Sequence, residues 1–366
     1  MEENRIYYLN QKEKQLTRTM YEAVFSEDSK KFVDYYYKWK IEDNNILVME
    51  EACLKKPSFF QVMIHFNPYI LWINGNLQKI PYIVAVATHP NYRKQGKMGQ
   101  VMTYALRDME AKQIPFTFLL PANPNYYKGQ GFIFFPNQEQ SPYLRDIEKE
   151  QNQTIKAAIA TNSYLVEKNL QEGLRWQKAK PQDIPQMITF SNLVLEKKYH
   201  IFVKRDMYYY QRLFAETATE NGGILLLKFQ EQLQGMLVYG VSFQNCQVEV
   251  KELLLKDDVW QEEAEILCQR ALPDYKINFD SSPMMIRVTN LFVFVSLLRS
   301  EYTHCYNVKV EDSMITSQQG CYRIEIGTNK SKIEKISENK VEQKLDISEL
   351  TQLLLKDTIV YLKEWV

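Results

Sequence analysis

The stretch best suited to chemistry is Val84-Ala85-Val86-Ala87-Thr88-His89-Pro90-Asn91-Tyr92-Arg93-Lys94-Gln95-Gly96-Lys97-Met98-Gly99. A β-branched, apolar run delivers the backbone to a loop carrying Arg93, Lys94 and Lys97 with Gly96 and Gly99, and a helical pattern starts at once. N–H groups at a helix start lack intrahelical partners and sit at the positive end of the peptide dipoles, so they can hold an anion such as a pyrophosphate. The glycines let the backbone come close to it, and the cations add charge. On physics alone the same Arg-x-x-Gly pattern also makes an ordinary solvated turn.

Other site chemistries find little support. The cysteines, Cys53, Cys246, Cys268, Cys305 and Cys321, are odd in number, scattered and without CxxC spacing, which predicts reduced, buried thiols and neither a disulfide framework nor a zinc site. His65, His89, His200 and His304 are dispersed and match no metal-ligand spacing, so structural roles and no metal are expected. Lys plus Arg equals Asp plus Glu at 45 each, which argues against a protein that neutralises nucleic-acid phosphates. The opening Met1-Glu2-Glu3-Asn4-Arg5 lacks the blocks of a signal peptide, and the apolar stretch from Leu291 to Leu298 is too short to span a bilayer. A cytoplasmic protein without a membrane partner is the expectation.

The elements that must position the loop can be read from periodicity. At 366 residues, with 45% hydrophobic and 25% charged residues, the chain has material for two or three cores. Helices are predicted over Lys12 to Phe25 and Lys30 to Lys40, and strands over Asn45 to Glu50, Phe59 to Phe66, Tyr69 to Ile73 and Tyr82 to Thr88. Asn74-Gly75-Asn76 between apolar runs marks a hairpin. Met98, Val101, Met102, Ala105, Leu106 and Met109 fall on one helical stripe, which should end near Lys112 because Pro115 follows. A strand from Phe116 to Leu120 then runs into Pro121-Ala122-Asn123-Pro124-Asn125. Later come helices over Asp183 to Leu195 and Met207 to Thr217, a hairpin of Gly223 to Phe229 with Leu233 to Val241, a helix over Thr289 to Leu298, a strand from Tyr322 to Ile326, and a helix from Ser348 to Leu355. Asp346 and Glu349 form a possible capping box for that last helix.

The strand, loop and amphipathic helix, together with Tyr127-Lys128-Gly129-Gln130-Gly131-Phe132 one strand later, resemble motifs A and B of the GNAT superfamily of N-acetyltransferases. Phe25, Asp28, the aromatic cluster Tyr35 to Trp39, the run Tyr199 to Asp206 and Met285-Ile286-Arg287-Val288 extend the resemblance to the enhanced-intracellular-survival (Eis) type, strongly over the first 140 residues and thinly afterwards. The resemblance implies an α+β architecture of two tandem GNAT-like mixed-sheet domains followed by a sterol-carrier-protein-like α/β domain. The boundaries drawn are 1–145, 146–282 and 283–366, the middle domain lacking a second Arg-x-x-Gly-x-Gly loop. It also implies acetyl-CoA as cosubstrate, a small-molecule or peptide amine as acceptor, aminoglycoside-like or lysine-like, and a homo-oligomer, typically a hexamer.

By the same resemblance Val86, Ala87 and Thr88 pair with the pantetheine arm, Arg93, Lys94, Gln95, Gly96, Lys97, Met98 and Gly99 hold the pyrophosphate, and Ala122 and Asn123 close over the pantetheine end. Met98 stands where the general motif has Gly or Ala, and its place on the helical stripe predicts that it turns into the core. Tyr127 matches the tyrosine that protonates the departing thiolate, a role that suits a phenol of reference pKa about 10. Tyr126 is its rival, and the spacing to Gly131-Phe132 favours Tyr127. Related enzymes use their terminal carboxylate as base, here Val366. The apolar, aromatic run Ile359 to Val366 looks built for burial rather than fraying. Asp28 and Glu364 could hold a cationic amine and Trp39 could wall it, although each would serve equally in packing or at the surface. A second reading, of another class, is a ligand-binding module whose cofactor site is vestigial.

Overall fold

The computed structural model describes residues 4–51, 60–137, 173–242, 246–257, 276–279 and 283–364. The chain packs as two compact units, one of Met1–Gln138, His200–Lys204 and Pro283–Val366, the other of Glu139–Tyr199 and Arg205–Ser282.

The first unit is built on a nine-stranded mixed sheet. Its main path runs β1 (Asn4–Tyr8), β2 (Asn45–Glu51), β3 (Val62–Ile73), β4 (Asn76–Thr88), β5 (Phe116–Leu119), β13 (Met285–Val288) and β6 (Ile133–Phe134), while β8 (Ile201–Val203) pairs with β3 and with β18 (Val360–Tyr361). Neighbours on the main path are antiparallel except β4 and β5, and β8 and β18 are parallel. The two strands expected at Phe59 to Phe66 and Tyr69 to Ile73 are one strand. Pro68 lies opposite Pro81, beyond the last β2 partner at Phe66 and before the first β8 partner at Leu71, so its missing N–H interrupts no ladder on that side. Asn74 (φ 47°) and Gly75 (φ 89°) turn the hairpin with left-handed residues, the conformation such turns require.

α1 (Arg18–Val24) is shorter than predicted. A 3₁₀ turn, Lys14–Thr17, precedes it, because the buried Lys14 ammonium reaches across to the carbonyls of Ile41 and Asn44. α2 (Lys30–Tyr35) is capped by Ser29 and passes into a π turn over Tyr36–Lys40. α3 (Lys97–Ala111) buries the predicted stripe against β2, β3 and β4, with Met98 packed at its margin. α4 (Asn125–Lys128) is a single turn. A separate four-stranded sheet of β16 (Lys332–Lys335), β15 (Gly320–Ile326), β14 (His304–Glu311) and β17 (Gln343–Asp346) follows, with α7 (Leu291–Leu297) and α8 (Ile347–Leu354). The capping box on α8 is present, with Asp346 accepting from the Glu349 N–H and Glu349 from the Asp346 N–H.

The boundary drawn at 283 is one of chain order rather than of packing. β13, the apolar strand just beyond it, is inserted between β5 and β6 of the first sheet and satisfies both their edges. The thiols also depart from expectation. Cys246 and Cys305 are exposed and Cys321 is half-buried, while Cys53 and Cys268 lie outside the described residues.

The second unit holds β7 (Arg175–Lys178), α5 (Ile184–Lys198), α6 (Met207–Thr219), β9 (Gly223–Phe229), β10 (Gln232–Ser242), β11 (Gln247–Leu255) and β12 (Lys276–Phe279). Its sheet order is β12-β11-β10-β9-β7, antiparallel throughout except β11 with β12. That is the order and direction of β1 to β5, with two helices again between the first strand and the second. Asp206 caps α6 through the Tyr209 N–H, and the Arg205 and Glu252 side chains pair within the core at 2.9 Å.

On β3 of the first unit, fully buried His65 shares a 2.9 Å hydrogen bond through Nδ1 with the Tyr36 hydroxyl, and burial pushes its pKa down from 6.5 to about 3. The fold therefore keeps this imidazole neutral, whereas an unfolded chain protonates it below about pH 6.5. Stability from this group is present above that pH and is lost as pH falls from 6.5 toward 3. Urea midpoints at pH 7 and pH 4.5 should show this fall, and His65→Gln, whose side chain does not titrate, should show a shallower one.

Candidate active site

β4 and β5 pair only at Tyr82 with Phe118 and Ile83 with Leu119. β5 then ends, while β4 runs on through Val84, Val86 and Ala87 to Thr88, so the side of β4 facing β5 loses its neighbour. A bulge sharpens the departure. Met63 pairs with Ala87 but His65 with Val84, which leaves Ala85 and Val86 together opposite Ile64, and Ala85 adopts φ 48°. Ala87 packs into the core below the sheet and Val86 against the α3 core above it.

The loop that follows is fastened at several points. His89 N–H donates to the Gln61 carbonyl, His89 Nδ1 caps the turn Pro90–Tyr92 by accepting from the Asn91 N–H, and Gln95 Nε2 reaches the Asn91 carbonyl at 3.0 Å. Lys94 (φ 61°) and Gly96 (φ 71°) turn the chain into α3. No side chain among the described residues caps that helix, so the N–H groups of its first turn point into the space before it. A Cβ built on Gly96 or on Gly99 meets nothing within 4 Å. The cations are not uniformly free to meet an anion. Arg93 Nε donates to the Thr88 carbonyl at 3.1 Å, which occupies an acceptor expected to be open. Lys97 Nζ donates to Gln61 Oε1 at 2.7 Å and lies 5.1 Å from the centre of the Tyr92 ring. Lys94 makes no hydrogen bond among the described residues.

Tyr127 sits on α4, after the Pro121-to-Asn125 turn in which Asn123 Oδ1 accepts from the Asn125 N–H and Ala122 is exposed. Its ring packs edge-on to Phe132, 5.7 Å between centroids, in the core cluster that also takes Val86 and Met98. The neighbouring rival, Tyr126, is 62% exposed, against 7% for Tyr127. Burial, with a smaller contribution from Tyr126, pushes the Tyr127 phenol up to about 12, so it stays protonated through the physiological range.

The three residues expected on the acceptor side, Asp28, Trp39 and Glu364, have defined settings. Half-buried Asp28 accepts from the Tyr21 hydroxyl at 2.8 Å, and burial raises its pKa even against that hydrogen bond. Tyr21 stacks on Tyr36 in the core beneath Ala85 and Ala87. Trp39 is half-buried in the π turn, with the Lys38 ammonium 5.8 Å from its ring. Glu364 is buried, and its main-chain carbonyl accepts from the Tyr82 hydroxyl at 3.1 Å. Tyr82 also stacks on Phe118, so the C-terminal tail is anchored where β4 and β5 part. Val366 lies outside the described residues. Tyr82, Tyr21 and the bulge at Ala85 escaped sequence reading: Tyr82 meets Glu364 across 282 residues, and no spacing rule marks Tyr21 as the partner of Asp28.

Residues 5–135 match the family model for the acetyltransferase (GNAT) domain. A probable N-acyltransferase from Enterococcus faecalis V583, described as a conserved protein of unknown function, is similar in fold with a TM-score of 0.71 at 14% identity, covering 96% of this chain and 90% of that one. A GCN5-related N-acetyltransferase from Anabaena variabilis gives 0.68 at 13% identity, covering 99% and 100%. Eis1 from Mycobacterium abscessus gives 0.62 at 9%, covering 96% and 89%. At these identities the likeness is one of fold. Comparison with curated protein sequences gives no match. Residues 5–135 thus form a GNAT domain, and the class defined is that of an N-acetyltransferase enzyme.

Gly96 holds its left-handed turn with open space where a side chain would be. Gly96→Ala should therefore cost about 1 kcal/mol from backbone strain alone, and Gly96→Asn less, read from denaturant midpoints.

Proposed function

We propose that the chain is an Eis-type acetyltransferase that moves an acetyl group from acetyl-CoA to a primary amine by direct transfer in a ternary complex. The observation that carries this reading is the coincidence, in one unit, of a strand that loses its partner, an uncapped helix start with Gly96 before it and Gly99 in its first turn, and a buried, protonated phenol. Bound acetyl-CoA would supply an activated acyl group with a thiolate as its leaving group.

The chain's own residues divide the remaining work. Open groups on β4 at Val86 and Ala87 extend their ladder to an amide-rich arm, as a sheet edge takes an added strand. The first-turn N–H groups of α3, with Gly96 and Gly99 allowing close approach and Lys94 adding charge, hold the diphosphate. Tyr127 donates its proton to sulfur as the carbon–sulfur bond breaks and the carbon–nitrogen bond forms. The proton lost by the amine goes to a base, for which the Val366 carboxylate is the candidate. Asp28, kept partly dry and positioned by Tyr21, offers its charge to a cationic acceptor, with Trp39 as a wall.

The repeated strand order in the second unit supports reading it as a second GNAT-like fold. The sequence directly after β11, Lys256-Asp257, brings an acidic residue and no glycine. The sterol-carrier-like reading of the C-terminal part and assembly into a homohexamer belong to the same proposal.

Tyr127→Phe should lower kcat by about 100-fold while acetyl-CoA binds unchanged by calorimetry. The assay is thiol release across aminoglycosides, polyamines and lysine peptides, and an unaltered rate would remove Tyr127 from the mechanism. Failure of the native chain to bind acetyl-CoA would leave the vestigial-site reading. Asp28→Asn should raise KM for the amine about tenfold and leave that for acetyl-CoA alone.

A further inference from the structure

Arg287 lies in β13 among Met285, Ile286 and Val288, all fully buried, and is itself 0% exposed. Every arm of its guanidinium is engaged. The Nη2 group meets both Asp312 oxygens, at 2.7 and 2.8 Å, Nη1 donates to the Val288 carbonyl, and Nε donates to the Gln130 carbonyl at 2.8 Å. Asp312 is 1% exposed and is closed by the Met314 and Ile315 N–H groups and by Gln318 Nε2.

A buried ion pair of this kind is weak as a source of stability, since well-packed apolar residues can replace it at little cost. What it can do is fix a geometry, and the geometry here is next to Tyr127. Gln130 N–H donates to the Tyr127 carbonyl at 2.9 Å, and Gln130 Nε2 reaches both the Tyr126 carbonyl at 3.0 Å and Met98 Sδ at 3.5 Å. Gly131, at φ 81°, follows, and a Cβ there would stand 2.7 Å from Arg287 Nε. The guanidinium thus fills the place of a side chain at the turn. The four-residue α4 is too short to hold itself in place, so its orientation is set by what grips its end.

We propose that Arg287, locked by Asp312, is a positioning residue for the acetyl-transfer site: by gripping the Gln130 carbonyl it fixes the turn that aims Tyr127 and that touches the cofactor loop at Met98. This rests on Tyr127 being the acid, and its test is separable from the test of that role. Arg287→Lys keeps the charge toward Asp312 but lacks the fork that reaches Gln130 at the same time. Arg287→Met/Asp312→Leu removes the clamp while keeping the core filled.

Each variant is assayed as the full chain by thiol release from acetyl-CoA. The acceptor is the panel amine giving the highest native rate, or water where no amine exceeds it. Both variants, confirmed as folded by thermal melting, should lose about tenfold or more in kcat, as a misaimed acid would, with KM for acetyl-CoA within about threefold. The alkaline limb of the rate should move to lower pH as water reaches the phenol. On a Tyr127→Phe background Arg287→Lys should cost no further than about twofold, because both changes act through one group. A folded Arg287→Lys with native kcat and pH profile, or a loss fully additive with Tyr127→Phe, overturns the proposal and leaves the pair as packing. An active Tyr127→Phe would instead refute the acid assignment.

Discussion

Parallel strands that stop pairing leave N–H and C=O groups with nowhere to go, and in this molecule that happens at Ile83 and Leu119. The surrounding fold is arranged about this opening. The bulge at Ala85 bends β4 away from β5, Gln61 and Arg93 fasten the loop beyond it, and α3 starts uncapped at the far end. Under the proposed function, an extended ligand with amides at one end and a diphosphate at the other would meet complementary groups in sequence.

The site is held from below by polar groups taken out of water. Lys14, Tyr36 and His65 lie beneath the sheet, Tyr21 presents Asp28, and Arg287 with Asp312 stands behind the Tyr127 turn. Burial of this kind adds little net stability, but it leaves each partner few alternatives, because moving away strands a charge or a donor in an apolar setting.

The two units show that topology and chemistry separate. Strand order and direction recur in β7 and β9 to β12, while the sequence that follows β11 holds no glycine corresponding to Gly96 and Gly99. The same sheet without the loop has no reason to attract a diphosphate.

Local sequence determined a good deal. The stripe of α3, the Asn74-Gly75 hairpin, the Asp346 capping box, and the glycine and cation placement of the cofactor loop follow from residues within a few positions of one another, where period and turn chemistry act. Tertiary structure decided the rest. Tyr82 meets the Glu364 carbonyl across 282 residues and Arg287 meets Gln130 across 157, contacts for which no periodicity exists. Cations that looked alike in the loop were also sorted only by folding, Arg93 onto Thr88 and Lys97 onto Gln61, because which acceptor lies within reach depends on how strands distant in the chain come to pair.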